Sequence, residues 1–265
     1  MKTELVISAS SDQADIALLE DGRLQELIKE KGDDSFSVGD VYLGTVKKLA
    51  TSLNAAFVDV GYEKDAFLHY NDLGPQIKSW QTYLRRTLKG KQLSNITNFK
   101  AEPNIEKDGN IGDVLKQGDQ ILVQITKEPI STKGPRITAE LSIAGRFVVL
   151  VPFSNRVSVS QKIREREEKD RLKKLVRSIK PKGFGVIIRT VAKGQSAEEL
   201  QADLDNLVRK WSQLHKGIKR SNKPLRIFRE MNRASAFLRD VFNESFTSIT
   251  IDNKELCEEV KEYLD

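Results

Sequence analysis

The chain has 265 residues, enough for one large domain or two to three small ones, with 31% charged and 38% hydrophobic residues. Its 44 basic residues outnumber 38 acidic ones, and the net charge of +6 favours polyanion partners without proving them. One cysteine, Cys257, and two histidines, His69 and His215, exclude an internal disulfide, a thiolate-rich zinc site and a multi-histidine metal centre supplied by one chain. The first residues lack the apolar core of a signal peptide, and no run approaches the roughly 18 apolar residues of a membrane span, so we expect a cytoplasmic protein.

The opening segment predicts three short strands, Glu4–Ser8, Asp15–Glu20 and Arg23–Lys29, separated by turn-rich pieces. A sheet this small with a single face to bury does not stand alone, so we expect another part of the chain to complete it. A polar linker, Lys31–Val38, follows.

The next strands alternate small aliphatic residues with phenylalanine. In Ser52–Val60 the alternation places Phe57 opposite the aliphatic face, and in Ala66–Tyr70 it does the same for Phe67. The small aliphatic residues fit a barrel interior, and the aromatic face fits nucleic-acid bases stacking on an OB-type barrel. Alternation alone leaves a second interpretation open, in which the two rings fill a domain interface.

Three further segments complete the predicted barrel. Asp40–Lys47 is a strand in which Gly44 indicates a bend, Gly118–Lys127 is the fourth strand, and a basic loop with Lys133 and Arg136 leads into the last one. Between them, Asn71–Gly112 loses the strand pattern. We interpret that segment as a long insertion at a barrel loop with one short helix, Ser79–Leu88, and otherwise as a solvated and partly disordered loop.

An α/β pattern follows the barrel. Gly145–Pro152 predicts a buried strand, Lys162–Lys180 an amphipathic helix and Gly185–Thr190 another strand. Ser196 then begins a long helix, with Glu199 three residues later as a capping box.

The turn between that strand and helix carries the residues of an anion site. Arg189, Thr190, Lys193 and Gly194 bring together a guanidinium, a hydroxyl, an ammonium and backbone N–H groups, a combination that suits a phosphate. The alternative is that Arg189 pairs with a nearby carboxylate.

The last segment predicts a helix at Arg226–Val241, a short strand at Thr247–Asp252 and a helix at Lys254–Leu264. The chain stops on this helix without a C-cap, so we expect it to be part of something longer.

Several separated motifs occur here in an order that resembles the N-terminal part of the ribonuclease E/G family of bacterial endoribonucleases. The motifs are AAFVDVG, AFLH, VQITKEP, KGPRIT, LSIAGRFVVLVP and IIRTVAKGQSAEEL. The resemblance covers most of the chain, with a longer insertion than expected.

The resemblance implies an α+β fold of three parts. Residues 1–37 and 235–265 correspond to the two pieces of a split RNase H-like subdomain, the second one truncated. Residues 38–140 correspond to an inserted S1 domain, an OB-type β-barrel with the insertion at about 71–112. Residues 141–234 correspond to an α/β subdomain that senses the 5′-monophosphate end of RNA.

The resemblance also assigns roles to individual residues. It implies that Phe57 and Phe67 stack on RNA with Lys133 as a basic partner, and that a second group forms the 5′-phosphate site. That second group is Arg189, Thr190, Gly145, Val149 and Lys162. The family pattern has an arginine pair after a serine where this chain reads Ser160, Gln161 and Lys162, so we expect a looser grip on phosphate.

The catalytic parts of the family are expected outside this sequence. The resemblance implies Mg²⁺ bound by two aspartates of a downstream subdomain, and Zn²⁺ at a downstream cysteine motif that joins subunits into a dimer or tetramer. No catalytic residue and no metal ligand is therefore assigned within these residues. We expect the RNA-binding and 5′-sensing portion of a Mg²⁺-dependent, single-strand-specific endoribonuclease of rRNA and mRNA processing and decay, which alone binds RNA without cutting it. A non-catalytic RNA-binding adaptor is the alternative.

Overall fold

The computed structural model describes residues 2–9, 13–31, 36–130, 133–221, 224–229 and 246–264. Its backbone packing divides the chain into two compact units. The first comprises Met1–Ser35 with Met231–Asp265, and the second comprises Phe36–Glu230. Helices and strands are mixed in both units, as expected for an α+β protein.

The first unit contains a four-stranded sheet and one described helix. The sheet has the order β14-β1-β2-β3, in which β14 pairs parallel to β1 and the remaining pairs are antiparallel. The opening meander is thus completed by a strand from the far end of the chain. The elements are β1 Thr3–Ala9, β2 Gln13–Glu20, β3 Arg23–Lys31, β14 Phe246–Ile251 and the helix α4 Lys254–Leu264.

The second unit begins with a closed five-stranded barrel. Neighbouring strands follow the order β4-β5-β6-β8-β7, and β7 pairs back with β4 to close the ring. The β6–β8 pair is parallel and the other pairs are antiparallel. This arrangement is consistent with an OB-type S1 domain. The strands are β4 Val41–Ala50, β5 Ala55–Asp59, β6 Ala66–His69, β7 Gln120–Lys127 and β8 Arg136–Thr138.

Two local features shape the barrel strands. A Cβ on Gly44 would lie 2.6 Å from Val58 Cγ1, so only glycine fits at this close approach of β4 to its neighbour β5. The strand predicted from Ser52 begins later, because Thr51–Leu53 forms a 3₁₀ turn and Asn54 adopts a left-handed backbone with φ of 47°. That turn shortens the strand to β5.

The predicted helix of the insertion is present and packs into the core, whereas most of residues 89–110 are exposed, as expected for a solvated loop. The helix is α1, Ile77–Leu88, which buries Trp80 and Tyr83. The irregular remainder is held by specific hydrogen bonds, among them Glu102 N to Ser79 Oγ at 2.9 Å. Ile96 in this remainder is buried although no apolar period marks it, because a single apolar side chain gains free energy by leaving water.

The α/β part forms a second sheet with two helices. The sheet order is β11-β12-β10-β9, with β11 parallel to β12 and the other pairs antiparallel. Its helices and strands are β9 Ile143–Ala144, β10 Val148–Pro152, β11 Val157–Val159, α2 Arg166–Ile179, β12 Phe184–Ile188 and α3 Ala197–Arg220. Helix α2 begins at Arg166 rather than at Lys162. The predicted capping box is present, since Ser196 Oγ accepts from Glu199 N and Glu199 Oε2 accepts from Ser196 N.

One hydrophobic core joins the barrel to the α/β part. Trp211 on α3 packs with Trp80 and Tyr83 on α1, and its indole Nε1 donates to Ser94 O at 2.6 Å. The hydroxyl of Tyr83 lies 2.6 Å from Nδ1 of the buried His215. The barrel and the α/β part are therefore one packed body within the second unit.

The helix predicted at Arg226–Val241 is wrong at its start. Leu225–Phe228 is a strand, β13, which pairs antiparallel with β4 on the outside of the barrel ring. Arg226 forms an ion pair with the buried Asp40 at 3.3 Å, an interaction with a distant residue that helix periodicity cannot reveal. Residues 230–241 of that prediction lie outside the described residues.

Candidate nucleic-acid interface

Two phenylalanines lie side by side on the outer surface of the barrel. Phe57 on β5 is directly opposite Phe67 on β6, and their ring centroids are 5.9 Å apart at an interplanar angle of 68°. Both side chains are half-exposed, whereas their neighbours Ala56, Ala66 and Leu68 are fully buried in the barrel. The alternation of the strands thus turns the rings outward, as the sequence pattern predicts.

Basic residues continue this pair across the strands. Lys48 on β4 is the register partner of Phe57, and Arg136 on β8 is the partner of Phe67. Lys127 on β7 is in turn the partner of Arg136. Directly opposite residues share one face of a sheet, so these five side chains form a line on the outer surface, called here the aromatic row.

Sequence reasoning missed Lys48 and Lys127 as members of this row. The pairing register shifts between Val46 and Lys48, and again between Ile125 and Lys127. Such shifts mark β-bulges, and a bulge changes which residues stand opposite one another. A sequence carries the alternation but not the shift, so it offered no signal for these two lysines.

The basic loop before β8 lies next to Phe67. Phe67 N donates to Pro135 O at 3.0 Å, and the exposed Lys133 exchanges backbone hydrogen bonds with Ile130. A Cβ on Gly134 would collide with the carbonyl oxygens of Lys64 and Asp65, so glycine lets this loop pack against the β5–β6 turn. The predicted basic partner Lys133 is therefore carried by a loop that contacts β6, the strand of Phe67.

Arg136 is anchored within the same surface. Its Nη2 lies 3.0 Å from Asp72 Oδ2, and Thr126 Oγ1 donates to Arg136 O at 3.1 Å. A guanidinium held this way keeps its remaining donors in a fixed plane. Arg136 therefore belongs to the aromatic row as an oriented cation.

The predicted phosphate site lies at the end of β12. Arg189 directly follows this strand, and its backbone N donates to Phe147 O at 2.8 Å. Its guanidinium Nη1 donates to Gly145 O at 2.8 Å and to Arg146 O at 3.3 Å. The structure thus brings Arg189 and Gly145 into direct contact.

Thr190 and Lys162 meet through a serine. Thr190 Oγ1 and Ser160 Oγ are 2.9 Å apart, and Lys162 N donates to Ser160 Oγ at 3.3 Å. Thr190 and Lys162 are exposed, and Ser160 N donates to Ile188 O at the end of the same strand. Two hydroxyls and a turn of backbone therefore lie beside Arg189 on the surface.

Val149 lies on β10, in the register pair next to the Val148–Ile188 pair that ends β12. It is the partner of Ile187 on β12 and of Ala144 on β9. Val149 is half-exposed and Ile187 is exposed, whereas Val148 and Leu150 point into the core. Val149 therefore lies on the outward face of the sheet, the face that Arg189 shares with Ile187 by alternation.

The turn after Thr190 is occupied by carboxylates of its own chain. Glu168 accepts from Gly194 N at 2.8 Å and forms a two-pronged pair with Arg171 at 2.7 and 2.8 Å. Arg171 and the Gly194 N–H lower the pKa of Glu168 to about 2. Lys193 Nζ likewise lies 2.6 Å from Glu165 Oε1, so Lys193 and Gly194 do not supply the free phosphate donors that the sequence predicts.

A residue that sequence reasoning missed holds the turn before β10. The carboxylate of Asp203, on α3, accepts from the backbone N of Arg146, Phe147 and Val148 at 3.0, 2.8 and 3.0 Å. A Cβ on Gly145 would lie 2.5 Å from Asp203 Oδ1, so glycine leaves room for this carboxylate. In the sequence Asp203 is one of several acidic residues on an amphipathic helix, and nothing there singles it out.

Metal-ligating side chains do not cluster in the described ranges. Within them no group of three or more His, Cys, Asp or Glu side chains is placed to hold a metal ion. Within the same ranges no helix has the length and apolar character needed to cross a membrane.

Comparison with known proteins places these motifs in one family. The model of the Ribonuclease E/G family matches residues 142–265. Ribonuclease E of Synechocystis sp. is 32% identical over 265 residues, and ribonuclease G of Escherichia coli is 30% identical over 263 residues. The chain belongs to the ribonuclease E/G family.

Relatives in this family match nearly the whole chain, but the chain covers only part of each relative. Ribonuclease G of Haemophilus influenzae is 32% identical over 262 residues, which are 99% of this chain and 50% of that protein. The Escherichia coli ribonuclease G match likewise covers 99% of this chain and 50% of the relative. The Synechocystis ribonuclease E match covers 100% of this chain and 35% of the relative. The chain therefore spans half or less of these family members.

Proposed function

We propose that this chain binds single-stranded RNA across the outer face of its barrel, with bases stacked on Phe57 and Phe67. The observation that carries the proposal is the half-exposed pair of rings at 5.9 Å, flanked in register by basic side chains. A base stacked on an aromatic ring contributes about 1 to 3 kcal/mol and needs no particular sequence. Relatives in the family are named ribonucleases, which supports RNA as the polyanion.

The direction of the aromatic row determines how the strand lies. Neighbouring β-strands are about 4.8 Å apart, so the row from Lys48 to Arg136 spans roughly 14 Å over three strand spacings. A cation at each end places phosphate contacts on either side of the stacked bases. Lys133 adds a further positive charge from the loop beside Phe67. In this arrangement the RNA runs across the strands rather than along them.

We further propose that the end of β12 binds a 5′-monophosphate. Arg189 supplies a guanidinium and Thr190 a hydroxyl, while Lys162 and the outward Val149 border the same surface. Gln161 and Lys162 stand where the family pattern has arginines, and neither forms the planar fork that grips phosphate in two places. The monophosphate is therefore held less tightly than an arginine pair would hold it.

For the whole protein we propose a Mg²⁺-dependent endoribonuclease of rRNA and mRNA processing, acting in the cytoplasm as a dimer or tetramer. Family membership supports this proposal. The metal-binding aspartates and the Zn²⁺ link would lie outside the described residues, whose donor sets do not fit a metal ion. No step of hydrolysis is assigned to the residues described above.

A direct test compares one RNA in two states. A labelled single-stranded oligonucleotide and the same strand annealed to its complement are titrated with the chain at two salt concentrations. We expect tighter binding of the single strand, because paired bases do not offer their faces to Phe57 and Phe67, and weaker binding at the higher salt. Equal affinity for the duplex would contradict stacking on the barrel.

A further inference from the structure

The turn from Gly145 to Val148, called here the 145–148 turn, lies between two oppositely charged side chains. On one side Asp203 accepts from the backbone N of Arg146, Phe147 and Val148. On the other side Arg189 donates to Gly145 O, Arg146 O and Phe147 O, using Nη1 for the first two and its backbone N for the third. All three backbone N–H groups and all three carbonyls are thus engaged.

These six hydrogen bonds belong to three consecutive peptide groups. Gly145 O and Arg146 N share one peptide group, Arg146 O and Phe147 N share the next, and Phe147 O and Val148 N share the third. A trans peptide group is planar, and its C=O and N–H point in opposite directions. The described chain has no cis peptide bond. Rotating any of these planes therefore weakens a bond to Asp203 and a bond to Arg189 together.

We infer that Asp203 is a positioning residue for Arg189, which it orients through the peptide groups of the 145–148 turn. The negative carboxylate draws the N–H ends of the three peptide dipoles and so aims their carbonyl ends at Arg189. Hydrogen bonds in series polarise one another, so the charge of Asp203 strengthens the acceptors that hold the guanidinium. The inference rests on the proposed function of Arg189 in binding a 5′-monophosphate.

Geometry separates Asp203 from the other acidic residues of its helix. Asp205 lies two residues further along α3, is exposed, and accepts only from the side chain of Gln201 among the hydrogen bonds described, at 2.8 Å. Asp203 is half-buried and contacts only backbone N–H groups of the turn in the described hydrogen bonds. Asp205→Asn is therefore a matched control, because it removes the same charge from the same helix without touching the turn.

The test measures a ratio of affinities. The chain binds one single-stranded RNA that carries either a 5′-monophosphate or a 5′-hydroxyl, and the preference is the ratio of the two dissociation constants. We expect Asp203→Asn to lower this preference by about tenfold, because an amide replaces one acceptor oxygen by an NH₂ that faces the backbone N–H groups. Affinity for the hydroxyl-ended RNA should stay within about twofold, and Asp205→Asn should preserve the preference.

A second readout observes Arg189 itself. In ¹⁵N-labelled protein, the guanidinium signal that disappears in Arg189→Ala should shift and broaden in Asp203→Asn but not in Asp205→Asn. Asp203→Glu, which keeps the negative charge, should recover part of this signal and remains available if the asparagine variant does not fold. Unchanged preference together with an unchanged guanidinium signal in Asp203→Asn would overturn the inference.

The outcomes also separate this inference from the proposed function. If the unmodified chain shows no preference for the 5′-monophosphate, the proposed sensor fails, while the guanidinium signal still tests the positioning by Asp203. If the preference exists and is lost in Arg189→Ala but kept in Asp203→Asn, the sensor stands and the positioning role is wrong. An equal loss of affinity for both RNAs in Asp203→Asn would mean a general structural role and would also overturn the inference.

Discussion

The barrel surface and the end of the α/β sheet, the two sites proposed to bind RNA, are built in different ways. On the barrel, Phe57 and Phe67 present half-exposed rings that need no polar partner and are placed by strand register alone. At the sheet end, Arg189 is held by backbone carbonyls whose peptide groups are held in turn by Asp203. The proposed stacking surface therefore depends on few residues, whereas the proposed phosphate site depends on a chain of hydrogen bonds that reaches into a helix.

The largest effect that we expect is on the barrel. Phe57→Ala or Phe67→Ala should weaken binding of single-stranded RNA by about 1 to 3 kcal/mol, roughly ten- to a hundredfold, because each removes a stacking platform. Fluorescence anisotropy titrations measure the loss. Leu93→Ala is the control, since Leu93 is an apolar side chain that is 74% exposed in the insertion. An equal loss of RNA affinity in Leu93→Ala, or no loss in the phenylalanine variants, would contradict base stacking on the barrel.

At the sheet end the sharpest substitution is Gly145→Ala. The new Cβ would lie 2.5 Å from Asp203 Oδ1, and such overpacking costs about 1 to 3 kcal/mol of the free energy of unfolding. Gly112→Ala is the matched control, because a Cβ there meets no atom within 4 Å. Urea unfolding of both variants measures the difference. A Gly145→Ala variant as stable as Gly112→Ala would show that the carboxylate does not need this space.

The sequence predicts features that depend on neighbouring residues and misses features that depend on distant ones. Alternation predicts that Phe57 faces outward, and the capping box at Ser196 predicts a helix start, because both depend on neighbours within a few residues. Lys48 lies opposite Phe57 only because of a register shift in β4. Asp203 binds the turn before β10 through backbone N–H groups that are 55 to 57 residues away in the sequence. Such partners depend on the folded chain, which local patterns do not encode.

The helix of the insertion also has a packing partner that is distant in the sequence. Trp80 and Tyr83 were expected in a helix surrounded by solvated loop, yet they pack with Trp211 from the long α3 helix. Helical spacing places Trp80 and Tyr83 on one face of α1, but their partner Trp211 is distant in the sequence, so local patterns do not show what covers that face. Composition marked the segment as polar, but its few large apolar residues determined where it packs.

A smaller effect is expected at the cationic end of the aromatic row. Lys48→Ala should weaken RNA binding by less than about 1 kcal/mol and reduce the salt dependence of the affinity by about one phosphate contact. Lys91→Ala removes the same charge from an exposed position in the insertion and is the control. Titrations at several salt concentrations give the slope. An identical slope in Lys48→Ala and the unmodified chain would remove Lys48 from the RNA path.

The smallest expected effect concerns the core that joins the two regions. Burial, with a smaller contribution from Lys219, lowers the pKa of His215, which lies 2.6 Å from the Tyr83 hydroxyl. The unfolded chain then takes up a proton below its ordinary pKa of about 6.5 more readily than the folded chain does. The free energy of unfolding should therefore be unaffected by His215 above about pH 6.5 and should fall as the pH decreases below it.

Urea unfolding at about pH 7.5 and about pH 5.5 measures this fall. His215→Gln keeps a polar partner for Tyr83 but does not titrate, so its stability should change less between the two pH values. The same change in both proteins would mean that His215 does not cause the pH dependence.

The most direct measurement compares Phe57→Ala, Arg189→Ala and the unmodified chain on one single-stranded RNA with either a 5′-monophosphate or a 5′-hydroxyl. We expect Phe57→Ala to weaken binding of both RNAs by the same factor, because stacking does not involve the end of the strand. Arg189→Ala should weaken binding of the phosphorylated RNA alone. Equal weakening of binding to both RNAs by Arg189→Ala would contradict recognition of the 5′-monophosphate by Arg189. Unchanged binding of both RNAs by Phe57→Ala would contradict base stacking on the barrel.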